Sequence, residues 1–310
     1  MNRKKLRTAL IIVLVLMLTV AIILPTYTRH REREINLNTL RGGSARVKEQ
    51  VRIAADEVIA KREAEDAEIA AHVYSHRGSA GPEEHSFKAY DAAIEAGSRY
   101  IEQDIVVSSD GILYVSHDLD AYYMTGYDGL YEYMNSNIID GLRTKAGNKV
   151  LRLSEVFDRY GRDIHYVIEL KQGDEACINA FEKIVDEYGL SDLITIQSMS
   201  PEVLKELEQK YPDMSKLFVC RTQQEFDRAL DKPYIDIISV KAAAGLMNDS
   251  NCEKVHDHDK LFSAWILDSE EMIRKAIDMG VDTYFTNNTQ LALSLEREYG
   301  LKEGKRRGKE

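Results

Sequence analysis

The sequence predicts an α/β fold, a TIM (β/α)8 barrel with an insertion after its second strand, and three observations lead there. Short runs rich in β-branched and aromatic residues alternate with amphipathic segments, the pattern of a parallel sheet built from βα units. Eight such runs can be counted, the number that closes a barrel. The chain has 310 residues, room enough for the roughly 250 that such a barrel commonly needs. An open, doubly wound sheet is the competing architecture, and the lack of a GxGxxG after the first run counts against it.

In chain order, AHVYS is the first strand candidate and SFKAYDAAIEAG its helix, followed by RYIEQDIVV as the second strand. An insertion over about 108–153 then interrupts the alternation. It opens with SSDGILYVSHD, where Asp110-Gly111 between two apolar runs signals a hairpin. It continues as the tyrosine-rich AYYMTGYDGLYEYMNSNIIDGL. Tyr122, Tyr123, Tyr127 and Tyr131 suit a substrate entrance and suit packing against the barrel equally well. The alternation resumes with DIHYVIELK, the helix DEACINAFEKIVDEYG and DLITIQS. SPEVLKELEQKY, KLFVC, TQQEFDRAL and YIDIISV carry it onward. A helical region around 249–258 precedes LFSAWIL, SEEMIRKAIDMG, VDTYFTN and a closing helix. The barrel is therefore expected over 71–300, with a charged tail at 301–310.

The N-terminal part has a different character. Residues 1–7 are basic, and 8–25 run from Thr8 to Pro25 without a charge, close to the length of a membrane-crossing helix. A cleavable signal peptide has the same charged start, but its apolar core is usually about 7–15 residues and ends in a small-x-small site. The reading is an uncleaved signal-anchor, giving a single-pass cell-membrane protein. Arg3, Lys4, Lys5 and Arg7 before the span lean the orientation toward an extracytoplasmic main body, with Arg29, Arg31 and Arg33 opposing. Residues 26–70 read as a charged, partly helical stalk in which Val51, Ala54 and Val58 recur at helical spacing; it is a spacer or a surface for self-association. A net charge of -11 excludes an ordinary nucleic-acid binder, and Cys177, Cys220 and Cys252 show neither metal-type spacing nor a disulfide framework.

The chemistry-bearing residues fall at strand ends. YSHRGSAGPEEHSF places His76 and Arg77 after the first strand, with two acids and a second histidine within ten residues. Such a set can bind a phosphate and a metal while moving a proton, or be an ordinary polar loop. Glu102 and Asp104 are one residue apart in the second strand, so both point to one face. Two acids on an interior face are costly unless something cationic joins them. His117 and Asp118 end the hairpin, and Glu169 and Lys171 repeat the i, i+2 spacing at the third strand. Convergence of four segments on one end of a barrel is where barrel active sites form.

HRG, EHS, IEQDI, DG, SHD and IELK, in that order, resemble the glycerophosphodiester phosphodiesterase family, and AWILDSEEMIRKAIDMGVDTYFTN extends the resemblance over about 72–295. The resemblance implies His76 and His117 as the catalytic acid–base pair, Glu102, Asp104 and Glu169 as ligands of Ca2+ or Mg2+, and Arg77 and Lys171 as phosphate contacts. Glu84, His85 and Trp265 are the implied substrate contacts. Here the chain departs from the family: Glu83 displaces Pro82 from the motif, His85 and Ser86 stand where Asn and Thr are common, and Asp268 replaces an Asn. Elementary chemistry agrees with the roles. Histidine titrates near neutrality and can take or give a proton. Carboxylates without His or Cys favour a hard divalent cation over zinc. Which histidine is the base, and whether water or a substrate hydroxyl attacks, stay open. The expected activity is metal-dependent hydrolysis of a glycerophosphodiester to glycerol 3-phosphate and an alcohol at the membrane. Alternatives are a phospholipase C- or D-like lipid phosphodiesterase on the same barrel, and an inactive phosphate-binding scaffold.

Overall fold

The computed structural model describes residues 69–307 other than 80–82, together with Asp56, Ala60, Ala64 and Ala67. The chain divides into two compact units, Met1–Ile59 and Ala60–Glu310, and every described residue except Asp56 lies in the second.

Eight parallel strands close on themselves: β1 (Val73–Ser75), β2 (Tyr100–Val107), β4 (His165–Leu170), β5 (Ile194–Ser198), β6 (Ser215–Cys220), β7 (Ile237–Lys241), β8 (Leu261–Trp265) and β9 (Thr283–Thr286). Closure is made by β1, which pairs in parallel with both β2 and β9. The remaining strand, β3 (Leu113–Val115), runs antiparallel to the end of β2 as the hairpin expected at Asp110-Gly111. Eight parallel strands in a closed ring exclude the open doubly wound sheet.

The helices alternate with the strands. They are α1 (Phe87–Ala96), the short α2 (Tyr122–Thr125) and α3 (Ser136–Ile139) of the insertion, α4 (Leu153–Tyr160), α5 (Glu175–Tyr188), α6 (Pro201–Lys210), α7 (Gln223–Leu230), α8 (Asp249–His256), α9 (Glu270–Met279) and α10 (Thr289–Arg307). Ser86, Asp174, Ser200, Thr222, Asn248 and Ser269 stand just before α1, α5, α6, α7, α8 and α9, and each side chain accepts a hydrogen bond from a backbone N–H of the first turn. Each cap is worth about 1 kcal/mol and marks where a βα loop ends. One apolar layer lies between strands and helices, around Phe181, Phe226, Phe262 and Ile105. A second fills the barrel with Tyr74, Val167, Leu217, Val219, Ile237 and Phe285. The alternation of the strands divides inward from outward side chains.

The insertion packs on its own small core of Val106, Tyr114, Ala121, Tyr131, Met134, Ile139 and Val150. Tyr131 is thus a packing residue, whereas Tyr122, Tyr123 and Tyr127 are exposed.

The expectation of a single-pass membrane protein with an extracytoplasmic domain is corrected. Among the described residues no helix is long and apolar enough to cross a membrane. The barrel helices bury one face against the strands and keep the other polar, which is the pattern of a helix packed on a sheet in water. The apolar run 8–25 and nearly all of the stalk lie outside the described residues.

One half-buried histidine gives the fold an acid-sensitive point. His165 stacks on Tyr100 at 4.6 Å and its Nε2 meets Thr195 Oγ1 at 3.0 Å. Burial pushes its imidazole down to about 4, with Asp192 opposing. The unfolded chain therefore takes up a proton between about 6.5 and 4 that the folded chain refuses, so this contribution is present above 6.5 and is lost as pH falls toward 4. Urea midpoints measured at pH 7, 6 and 5 should decline, and the decline should be shallower in His165→Gln.

Candidate active site

At the carboxyl ends of the strands, a cleft is lined by His76, Arg77, Glu102, Asp104, His117, Glu169, Lys171, Gln197, Met199, Val219, Trp265, Ile266 and Phe285. Its floor is acidic. Glu102 and Asp104 share the inner face of β2, as their i, i+2 spacing requires. Parallel register sets Asp104 beside Glu169 of β4 and Glu169 beside Gln197 of β5. Carboxylate oxygens of Glu102, Asp104 and Glu169 lie within 4.8 Å of one another, and the three residues are only 1%, 1% and 8% exposed.

Cations surround this floor. Lys171 Nζ donates to Glu169 Oε1 at 2.9 Å and sits 3.4 Å from Asp104 Oδ1. Arg77 gives its backbone N–H to Glu102 Oε2 at 2.8 Å, brings Nε to 3.3 Å from Asp104 Oδ2, and holds Glu84 through Nη1 at 3.0 and 3.1 Å. Gln197 Nε2 reaches Glu102 Oε1 and Glu169 Oε2 at 3.3 and 3.2 Å, while its buried Oε1 has no partner.

The loop that carries Arg77 has a strained shape. Arg77 and His85 both adopt left-handed φ, 52° and 54°, a conformation that costs a non-glycine residue roughly 1–2 kcal/mol. In return the Arg77 N–H faces Glu102. Gly78 explains the third letter of HRG: at φ +100° a Cβ there would stand 2.6 Å from the Ala89 Cβ and 2.8 Å from its backbone carbon. Only glycine lets the loop lie against α1.

Burial is the first influence on Glu102, Asp104, Glu169, His76 and His117. It raises Glu102 well above the usual carboxylate range, and Asp104 adds to the rise while Arg77 opposes it. Burial and Asp104 push Glu169 up to about 7, with Lys171 opposing. Burial would raise Asp104 too, but the His85 hydrogen bond and the charges of His85, Lys171 and Arg77 overcome it and hold Asp104 well below that range. His76 is driven down to about 4 by burial and by Arg77, and burial also lowers His117.

Such a floor fits a divalent cation. The donors are carboxylate oxygens alone, the choice of a hard ion, and two of the three carboxyls are held toward their protonated forms by burial and by mutual repulsion, which a dication would relieve.

The expected residues divide into two groups. His76, His117, Glu102, Asp104, Glu169, Arg77, Lys171 and Trp265 all line the cleft. Glu84 and His85 do not. Glu84 is an exposed partner of Arg77. His85 is 2% exposed and lies beneath Asp104, with Nε2 3.0 Å from Asp104 Oδ2 and Nδ1 3.1 Å from the Tyr90 hydroxyl. Its ring is spent on a carboxylate and a tyrosine and takes no part in lining the cleft. Glu83, given no role in advance, ties this loop to the insertion: Thr144 Oγ1 donates to it at 2.8 Å and Asn148 Nδ2 bonds the same carboxylate. Two polar residues were missed. Gln197 becomes recognisable only once β5 is aligned with β4. Asn287, whose Oδ1 lies 2.8 Å from His76 Nδ1, follows the last strand at a distance of 211 residues from its partner.

The residues 76–291 match the Glycerophosphoryl diester phosphodiesterase family. A glycerophosphodiester phosphodiesterase of Bacillus subtilis is 25% identical over 254 residues, covering 73% of this chain and 86% of the relative. A second, from Caldanaerobacter subterraneus, is 27% identical over 248 residues and covers 74% and 98%. Among solved structures, an Oleispira antarctica phosphodiesterase in complex with the product sn-glycerol-3-phosphate superposes with a TM-score of 0.64 at 20% identity, over 72% of this chain and 95% of the other. That likeness is one of fold.

Two outcomes are expected at this site. A cation must displace the proton that Glu169 holds below about 7, so calorimetric affinity for Mg2+ or Ca2+ should rise from pH 6 to pH 8, by at most about tenfold per unit for one proton. Glu169→Gln should weaken binding and flatten that dependence. Gly78→Ala should lower the melting temperature, since both the φ and the contact with Ala89 forbid the methyl group.

Proposed function

Because the chain belongs to the glycerophosphoryl diester phosphodiesterase family, we propose that it is a metal-dependent hydrolase which cleaves glycerophosphodiesters to glycerol 3-phosphate and an alcohol by histidine acid–base catalysis. The observation that carries the reading is the meeting of His76 and His117 with Arg77, Lys171 and the three buried carboxylates around one cleft.

Each part has a chemical task. Glu102, Asp104 and Glu169 would hold Ca2+ or Mg2+, which when bound supplies positive charge against the oxygens of the phosphoryl group. Arg77 offers a guanidinium fork and Lys171 a compact ammonium to the anionic diester. Both are already half-committed to the floor, so they are placed before the substrate arrives. His76 is unprotonated at neutral pH, the state required of a base. His117 stands on the insertion hairpin with its side chain 40% exposed and Nδ1 3.2 Å from Asp118, where it can exchange protons with solvent and face a leaving alcohol. Trp265 forms an apolar wall of the cleft, with Lys241 Nζ 5.5 Å from its ring centroid. Glu84 is best seen as a brace for Arg77, and His85 as a brace for Asp104.

The test follows release of glycerol 3-phosphate from glycerophosphocholine by the full chain stripped of metal, with and without added Mg2+ or Ca2+. Release should require the cation. His76→Ala and His117→Ala should each lower kcat by about 10²–10⁴-fold, the usual share of acid–base catalysis, and Glu102→Ala should abolish the response to metal. Release undiminished in chelator would refute the metal-dependent reading.

A further inference from the structure

Asp268, at the end of the loop after β8, spends both carboxylate oxygens on the turn after β9. Its Oδ1 accepts the backbone N–H of Asn287 at 2.7 Å, and its Oδ2 accepts from the Asn287 side-chain Nδ2 at 2.8 Å. The Thr286 hydroxyl stands 3.4 Å from Oδ1. A carboxylate can only accept, so it selects the donor end of the Asn287 amide. The reverse orientation would set a carbonyl oxygen against a carboxylate. With Nδ2 committed to Asp268, Asn287 must turn Oδ1 toward His76 Nδ1, 2.8 Å away. A carbonyl oxygen also only accepts, so that ring nitrogen must carry the hydrogen. The ring and its partner follow directly after neighbouring strands, β1 and β9, at the barrel seam, where His76 N–H bonds Thr286 O at 3.0 Å.

We infer that Asp268 is a positioning residue: through the Asn287 amide it holds His76 in the tautomer protonated on Nδ1, leaving Nε2 as the base that takes the proton of the attacking oxygen. The inference rests on the function proposed above and deepens it, by naming what orients the base. As the attacking oxygen bonds to phosphorus, its proton passes to His76 Nε2, and the Nδ1 hydrogen stays in its bond to Asn287 Oδ1. As the bond from phosphorus to the leaving oxygen breaks, that oxygen takes a proton from His117. One water and one diester become one monoester and one alcohol, and solvent resets the two rings. Asn287 presents a neutral oxygen, so the orienting contact raises the ring's basicity less than a carboxylate would. The charged and titratable groups that face His76 are Arg77, Asp104 and His85.

The experiment uses the full chain with Asp268→Asn, Asn287→Asp and the double exchange. The first readout needs no turnover: side-chain 15N spectra of the histidines, with His76 assigned by His76→Gln. Wild type should show a protonated Nδ1 and a bare Nε2, and Asp268→Asn a mixture of tautomers, because an amide at 268 can present either end. The second readout is hydrolysis. Asp268→Asn should lose roughly 10- to 100-fold in kcat with KM unchanged, the usual effect of removing an orienting partner. The double exchange should recover most of that loss, with the acid limb of kcat/KM moved to higher pH by the carboxylate now beside the ring. A His76 ring protonated on Nε2 in wild type, or an unchanged tautomer ratio in Asp268→Asn, overturns the proposal whether or not the chain hydrolyses the diester. Absence of hydrolysis by wild type with the expected spectra would instead count against the activity, while the positioning stands.

Discussion

Three carboxylates buried side by side are the constraint around which the mouth of this barrel is organised. Placing like charges out of water is unfavourable unless each finds a counter-charge or a proton. Here Arg77 and Lys171 supply two positive charges, His85 and Gln197 supply hydrogen bonds, and burial with mutual repulsion still leaves Glu102 and Glu169 inclined to keep their protons. Much of the local irregularity serves this cluster. The left-handed φ of Arg77 turns an N–H onto Glu102, and Gly78 lets the loop bend over α1 to do so. Tyr90, buried in the adjoining helix, completes the ring of His85 beneath Asp104.

The site divides between rigid and adjustable parts. The acids and Lys171 stand in or at the end of strands whose register is fixed by continuous pairing. The two histidines come from loops, and each has a different anchor. His76 is tied to the β9 end through Asn287 and through its own backbone. His117 stands on the insertion, partly in solvent, beside Asp118. Glu83 links the insertion to the loop of Arg77, so the segments that bear the proposed acid–base pair are mechanically joined on one side of the cleft. The matched span 76–291 begins at His76 and encloses the whole cleft lining.

A barrel was legible in the sequence because its parts are local. Alternating runs, six polar caps and the hairpin at Asp110-Gly111 each depend on near neighbours in the chain, and each appears where its residues call for it. The pairing of Glu102 with Asp104 on one face is equally local, a consequence of strand periodicity. Most of the cleft lining could therefore be named from strand ends and from the order HRG, ExD, SHD and ExK. The apolar run at 8–25 stands apart: its composition suggested a membrane address, and it lies outside the described residues.

Only the tertiary structure decided what stands between the named residues. Register across β2, β4 and β5 brings Glu169 beside Asp104 and introduces Gln197, a residue with no motif of its own. Burial moves His85 from the expected substrate surface to the underside of Asp104, and a turn 211 residues away from His76 provides the amide that orients its ring. Motif residues were readable because strand geometry repeats every two residues. Their partners were not, because barrel closure joins residues whose separation along the chain carries no pattern.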